Sequence, residues 1–314
     1  MRDSGAIIGA GAVAGVTAAW LRKAGRPAPL VCARTFFDAF TVIGDGSGAD
    51  ITQECPVEVI TSPDDAHVVS WVFVAVKAHD TASVKPWLDA LTDHNTVIVI
   101  MQNGIDHLER ARPVTDSGEI LPVLVFAGAE RSSPATIHHR IGASLTVPDS
   151  SAGKALAAYM GGGVHITTSE DFLTESWRKL LINIGLNPIT ALTLRHADVL
   201  RDTHVQRTCI ALLAETRAVA NAVGAHISDA DVSNVLALYR SYPAEVGSSM
   251  LYDRLAGRSL EYDLLLGAVV RAAHIHNISV PVAETLLALT SVVDAAPVIQ
   301  SPLPELVEGR HQPD

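Results

Sequence analysis

Short runs of β-branched and aliphatic residues punctuate the first half of the chain and stop near Thr168, and this limits the fold most severely. The runs fall at 6–8, 29–33, 70–76, 96–101, 120–127 and 143–148. The stretches at 70–76 and 96–101 are continuously apolar, as parallel strands covered on both faces require. Helix-like segments separate the runs, the first over 13–24. Repeated strand–helix alternation predicts an α/β doubly wound sheet. Beyond Thr168 only helical periodicities remain, over 171–193, 202–223, 228–240, 259–276 and 281–294. The reading is therefore two domains, a sheet domain over 1–168 and an all-helical C-terminal domain over 169–296. The Pro-rich, charged stretch 297–314 has no period and is expected to be a disordered tail.

The first run leads directly into Gly9-Ala10-Gly11-Ala12-Val13-Ala14, which opens the first helix. In a strand–turn–helix, the first glycine permits the tight turn and the second lets a pyrophosphate approach the backbone. A small third residue, here Ala14, allows close helix–strand packing. The spacing points to a dinucleotide, with residues 9–14 on its phosphates. Where an NAD site usually carries an acid, after the second strand, this chain has Arg34. A guanidinium suits a 2′-phosphate, so NADP(H) is the expected cofactor. Lys77 and Asn103 follow later strand ends, where ligands gather in such sheets, although each also fits a plain turn.

In the second half, Lys179, Asn183 and Asn187 recur every four residues within an apolar segment. One continuous helix would bring the three onto nearly one face. A buried ammonium and two buried amides need partners, and a small polar ligand would supply them. The plainer alternative leaves Asn187 as a helix cap, lets Lys179 snorkel to water, and asks only Asn183 for an internal partner.

Composition narrows the partners. A net charge of −11 argues against nucleic acid and against an anionic membrane. No stretch reaches the length of a membrane span, and the N-terminal apolar segment lacks a cleavage pattern. Cys32, Cys55 and Cys209 are odd in number and far apart, which fits a reducing cytoplasm and no disulfide framework. The histidines lack companion carboxylates at ligand spacing, so no metal is expected.

Taken together, GAGAVA, VKAHDT, QNG, WRKLLINIGLNPITAL and SSMLYDRLAGRSLEYD resemble the ketopantoate reductase family over nearly the whole chain. The resemblance implies an NADP-binding Rossmann domain, a helical domain, and an active site in the cleft between them. It implies NADPH-dependent reduction of 2-dehydropantoate to pantoate, in pantothenate and coenzyme A synthesis. Hydride would reach the C2 ketone, with Lys179 as general acid and Glu261 as its acidic partner. It places Asn103, Asn183, Asn187 and Ser249 with Lys179 on the substrate, and Gly9, Gly11, Ala14, Arg34, Lys77 and Asn103 on the cofactor. Taken alone, Ser249 reads as the N-cap of a helix starting at Met250, and Glu261 as a helix-surface acid.

Two asparagines of the family pattern are missing, one near Val246 and one near Ala197. Both changes lie on the substrate side, so a relative reducing another 2-keto acid stays open. So do a β-hydroxyacid dehydrogenase relative and an NADP-binding sensor without turnover. The apolar helical domain leaves room for a homodimer face.

Overall fold

The computed structural model describes residues 4–294; the expected tail at 297–314 lies outside the described residues. The chain runs β1 (Gly5–Ile8), α1 (Ala12–Lys23), β2 (Leu30–Cys32), β3 (Ala39–Ile43), β4 (Thr52–Pro56), β5 (Glu58–Ile60) and β6 (Trp71–Val74). It continues through α2 (Lys85–Leu91), β7 (Val97–Ile100), α3 (His107–Ala111), β8 (Glu119–Pro122), β9 (Leu124–Ser133), β10 (Thr136–Pro148), α4 (Ser151–Met160) and β11 (His165–Ser169). Seven α-helices follow among the described residues: α5 (Phe172–Ile184), α6 (Asn187–Thr193), α7 (Thr203–Ala222), α8 (Asp229–Ser241), α9 (Ser249–Leu255), α10 (Ala268–Ile275) and α11 (Pro281–Asp294).

The first sheet has the order β5-β2-β1-β6-β7-β8 and is parallel throughout. Its central strands are apolar on both faces because each face carries a core. Ile7, Val31, Phe73 and Val99 enter one core, while Ala6, Ile8, Val72 and Ile98 enter the other. Strand order reverses between β1 and β6, so the loops after these two strands flank the crevice where such sheets bind ligands. Those loops are the Gly9 turn and the Val76-Lys77 segment.

A second sheet, β11-β10-β3-β4 with β9 on the other edge of β10, was not foreseen. It mixes parallel and antiparallel pairs. The run at 120–127 is therefore divided, β8 closing the first sheet and β9 entering the second. The run at 143–148 is only the end of the long strand β10. Half-buried alternation, as in β3 with Phe40 and Val42 inward, gives a weaker signal than the continuous runs of the first sheet. The β9–β10 pair packs on α1, with Ile137 against Gly15, where an added Cβ would lie 2.4 Å from Ile137 Cγ1.

The helical half has its own core, built on Trp177, Leu181, Ile184, Leu212, Leu213 and Leu266. The segment 171–193 is two helices, not one. Pro188 sits in the first turn of α6, where its missing N–H costs nothing, but it could not have continued α5. Tyr239 Oη donates to the Leu181 and Ile182 carbonyls at 3.2 and 2.7 Å, supplying a donor to the Ile182 oxygen at the end of α5. Asn187 is thereby displaced from the helical row of Lys179 and Asn183.

Candidate active site

Two loops of the parallel sheet, after β6 and β7, and three segments of the helical half meet at one cleft. Its void is narrow and lined by Asn103, Asn187, Ser249, Met250, Asp253, Glu261 and Leu265. Each lining group has a local reason for its position.

Glu261 lies between α9 and α10, just ahead of a π-helical turn at Asp263–Gly267. Its carboxylate is 8% exposed, yet three donors from the sheet loops reach it. The Ala78 N–H donates to Oε1 at 3.2 Å, and Asn103 Nδ2 and Lys77 Nζ each donate to Oε2 at 3.2 Å. Burial pushes this carboxyl up. The Lys77 charge and the hydrogen bonds outweigh it and hold the group below its ordinary value. Lys77 also donates to Asp253 Oδ2 at 2.8 Å. Burial would lower the Lys77 ammonium, but Glu261 and Asp253 together raise it. Asp253 in turn accepts from Arg258 Nε at 2.9 Å. The surface-acid reading of Glu261 is thus replaced by a buried anion held from across the cleft.

Asn103 sits in a braced loop after β7. His107 Nε2 bonds the Gln102 carbonyl at 2.9 Å, and Arg110 Nη2 donates to the Asn103 carbonyl at 2.8 Å. Burial, with Arg110 nearby, pushes His107 down to about 4, so it is neutral at pH 7 and its Nε2 must carry the proton donated to that carbonyl. Gln102 is tied to Thr81 and to the Val76 carbonyl, joining this loop to the one after β6.

The N-cap of α9 is Ser248, not Ser249: Ser248 Oγ accepts from the Leu251 N–H at 3.0 Å and bonds Thr190 Oγ1 at 2.7 Å. Ser249 is free to face the cleft and lies 3.5 Å from Asn187 Oδ1. Asn187 is buried at the start of α6 and caps nothing with its side chain.

Lys179 is only 9% exposed, so it does not snorkel. Its ammonium donates to the Val125 carbonyl on β9 and stands 5.0 Å from the Phe126 ring centre. Burial lowers it from 10.5 to about 7, against the opposing pull of Glu261. No hydrogen bond or ion pair joins Lys179 to Glu261. Asn183 is half-buried, and its side chain makes no hydrogen bond among the described residues. Neither Lys179 nor Asn183 lines the void itself, although both sit on α5 beside it.

The first sheet offers a place for a dinucleotide. Gly9 takes φ +113°, and an added Cβ would lie 3.2 Å from the Ala75 backbone; at Gly11 the nearest atom is 3.9 Å away. The turn is closed behind and open in front, as a pyrophosphate needs. Ala10 to Ala14 continue it into α1, and Arg34 stands exposed past β2 without an ion pair among the described residues. Sequence reasoning missed Asp253 and Gln102. The spacing of Asp253, one helical turn after Ser249, was the available signal for the first. Ala197 and Val246, where the family pattern is broken, touch each other: the Ala197 N–H donates to the Val246 carbonyl at 2.8 Å.

Among the described residues no helix is long and apolar enough to cross a membrane, and no three potential ligands gather for a metal. Comparison with known proteins gives the family. Family models described as ketopantoate reductase PanE/ApbA and its C-terminal part match residues 6–152 and 171–294. A 2-dehydropantoate 2-reductase from Mycobacterium tuberculosis is 35% identical over 294 residues, covering 93% of this chain and 98% of that protein. One from Caulobacter vibrioides is 34% identical over 285 residues, covering 90% and 97%. A dimeric ketopantoate reductase from Staphylococcus aureus shares the fold, with a TM-score of 0.82 at 24% identity over 93% of this chain and 98% of that one. On the full-length matches, this chain belongs to the ketopantoate reductase family of pyridine-nucleotide-dependent oxidoreductases.

Proposed function

We propose that the protein reduces 2-dehydropantoate to pantoate with NADPH, with residues 1–168 holding the cofactor and 169–296 the substrate. The observation that carries this reading is a buried lysine brought to about 7 beside a cleft lined by Asn103, Asn187, Ser249 and Glu261. The turn from Gly9 through Ala10, Gly11, Ala12, Val13 and Ala14 would hold the pyrophosphate, Arg34 the 2′-phosphate, and Lys77 and Asn103 the inner end of the cofactor. When bound, the nicotinamide supplies the hydride. Lys179 holds a proton at Nζ and delivers it to the C2 oxygen as negative charge develops there. Its lowered proton affinity makes it an acid matched to neutral pH. Glu261 keeps Lys77 and Asn103 in place across the cleft. Asn103, Asn183, Asn187 and Ser249 offer donors and acceptors to the substrate's carboxylate and hydroxyl, so analogues lacking these groups leave buried polar atoms unpaired.

A second reading keeps the chemistry and changes the acid. It is favoured by the Ala197–Val246 contact, which makes the two departures from the family pattern one local change beside the Ser248–Ser249 turn. A cytoplasmic setting suits the three buried free thiols, and a homodimer suits the exposed Ile275, Leu289 and Val292.

The test is the loss of NADPH absorbance on mixing purified protein with ketopantoate and with a panel of other 2-oxo acids, beside a Lys179→Ala control. Oxidation fastest with ketopantoate and abolished in the variant supports the leading reading. A different acid ranking first supports the second. Bound NADPH without oxidation by any acid would leave a sensor.

A further inference from the structure

The hairpin of β9 and β10 brings a second guanidinium to the glycine turn. Arg131, near the end of β9, donates from Nη1 to the Ala10 carbonyl at 3.3 Å, across 121 residues of sequence. This is the guanidinium's one hydrogen bond among the described residues. The neighbouring acid is already engaged, since Arg140 binds Glu130. Arg131 is exposed, so the rest of its guanidinium is open to solvent beside the turn. The placement is enforced by packing, because Ile137, the cross-strand partner of Arg131, lies against Gly15 on α1.

Resting on the cofactor reading above, we propose that Arg131 binds the cofactor's pyrophosphate from the side opposite the α1 N-terminus. A guanidinium can hold the Ala10 carbonyl with one nitrogen and present the others to a phosphate oxygen. In a chain of net charge −11, a local cation is needed to bring a dianionic bridge to this turn. Ala10 lies inside the phosphate-binding turn, whereas Arg34 stands past β2 at the adenosine side. The two arginines therefore divide the work. Arg131 recognises what NADH and NADPH share, and Arg34 recognises what distinguishes them.

The full-length protein is titrated with NADPH and with NADH, and binding is followed by fluorescence or calorimetry. The variants are Arg131→Ala, Arg131→Gln, Arg131→Lys and Arg34→Ala. Arg131→Ala is expected to weaken both dinucleotides by about tenfold or more, the loss of one charge-assisted contact. Arg131→Gln keeps a donor for the Ala10 carbonyl and should lose as much, while Arg131→Lys recovers part of the affinity. Arg34→Ala should weaken NADPH alone. Full affinity in Arg131→Gln would mean that the residue only braces the turn, and would overturn the proposal. So would a loss in Arg131→Ala confined to NADPH, or no loss at all. Wild-type protein that binds neither dinucleotide would overturn the cofactor reading and this proposal with it.

Discussion

Replacing Lys179 by methionine should stabilise the ligand-free protein, and by an amount that depends on pH. The ammonium is taken from an ordinary value of 10.5 to about 7 by burial, with only the Val125 carbonyl and the Phe126 ring as near partners. The difference corresponds to about 5 kcal/mol at most. Because the folded value lies below the unfolded one, the unfolded chain binds more protons between pH 7 and 10.5. Stability therefore rises with pH across that interval. At pH 6 both states are protonated and nearly the whole cost is present; at pH 9 about 2 kcal/mol of it remains. Methionine keeps the aliphatic stem in its apolar setting and loses about 1 kcal/mol with the bond to Val125. Urea unfolding should thus find Lys179→Met more stable by about 4 kcal/mol at pH 6, and by about 3 kcal/mol less than that at pH 9. A difference constant across this range would refute the reasoning, because it would place the lysine's proton affinity near its unfolded value.

Three further outcomes follow from the same geometry. The rate constant kcat/KM for keto-acid reduction should fall by about tenfold per pH unit above about 7, as Lys179 loses its proton; the reverse oxidation should fall on the acid side, and a stopped-flow pH profile in both directions checks this. Glu261→Gln should cost about 1–3 kcal/mol at pH 7, read by urea unfolding, since it removes the charge shared by Lys77, Ala78 and Asn103. That cost should shrink as the pH falls from about 4.5 through the lowered carboxyl value, because the stability it carries is present in full above the unfolded value of 4.5 and lost below it. Gly15→Ala should destabilise by about 1–3 kcal/mol through its clash with Ile137, and a double-mutant cycle with Ile137→Ala should show the clash relieved.

The sequence made the parallel sheet legible because its strands are buried on both faces and need uninterrupted apolar runs. Strands β3 and β4, the edge strand β5 and the outer half of β9 were not legible, since they are short or half exposed, and charged residues such as Glu54 and Arg131 fall within them. Of the residues that the family segments singled out, Glu261, Asn187 and Ser249 line one cleft, and Lys179 stands outside its lining. Helical spacing misjudged the arrangement, because Pro188 was read as riding within a helix that it in fact ends. Arg131 had no local signal, and the one for Asp253 was its place a helical turn after Ser249. Each acquires its meaning from a residue more than a hundred positions away, Lys77 in one case and Ala10 in the other.

The bond from Lys179 to Val125 sets a constraint on exchanging parts between relatives. The lysine is carried by α5, but the carbonyl that orients its ammonium belongs to β9, on the other side of the boundary near residue 168. On the mechanism proposed above, a chimaera joined at that boundary would inherit its proton donor from one parent and the oxygen that aims it from the other. Grafts that move β9 together with the helices should keep turnover, and those that divide them should retain dinucleotide binding while losing rate.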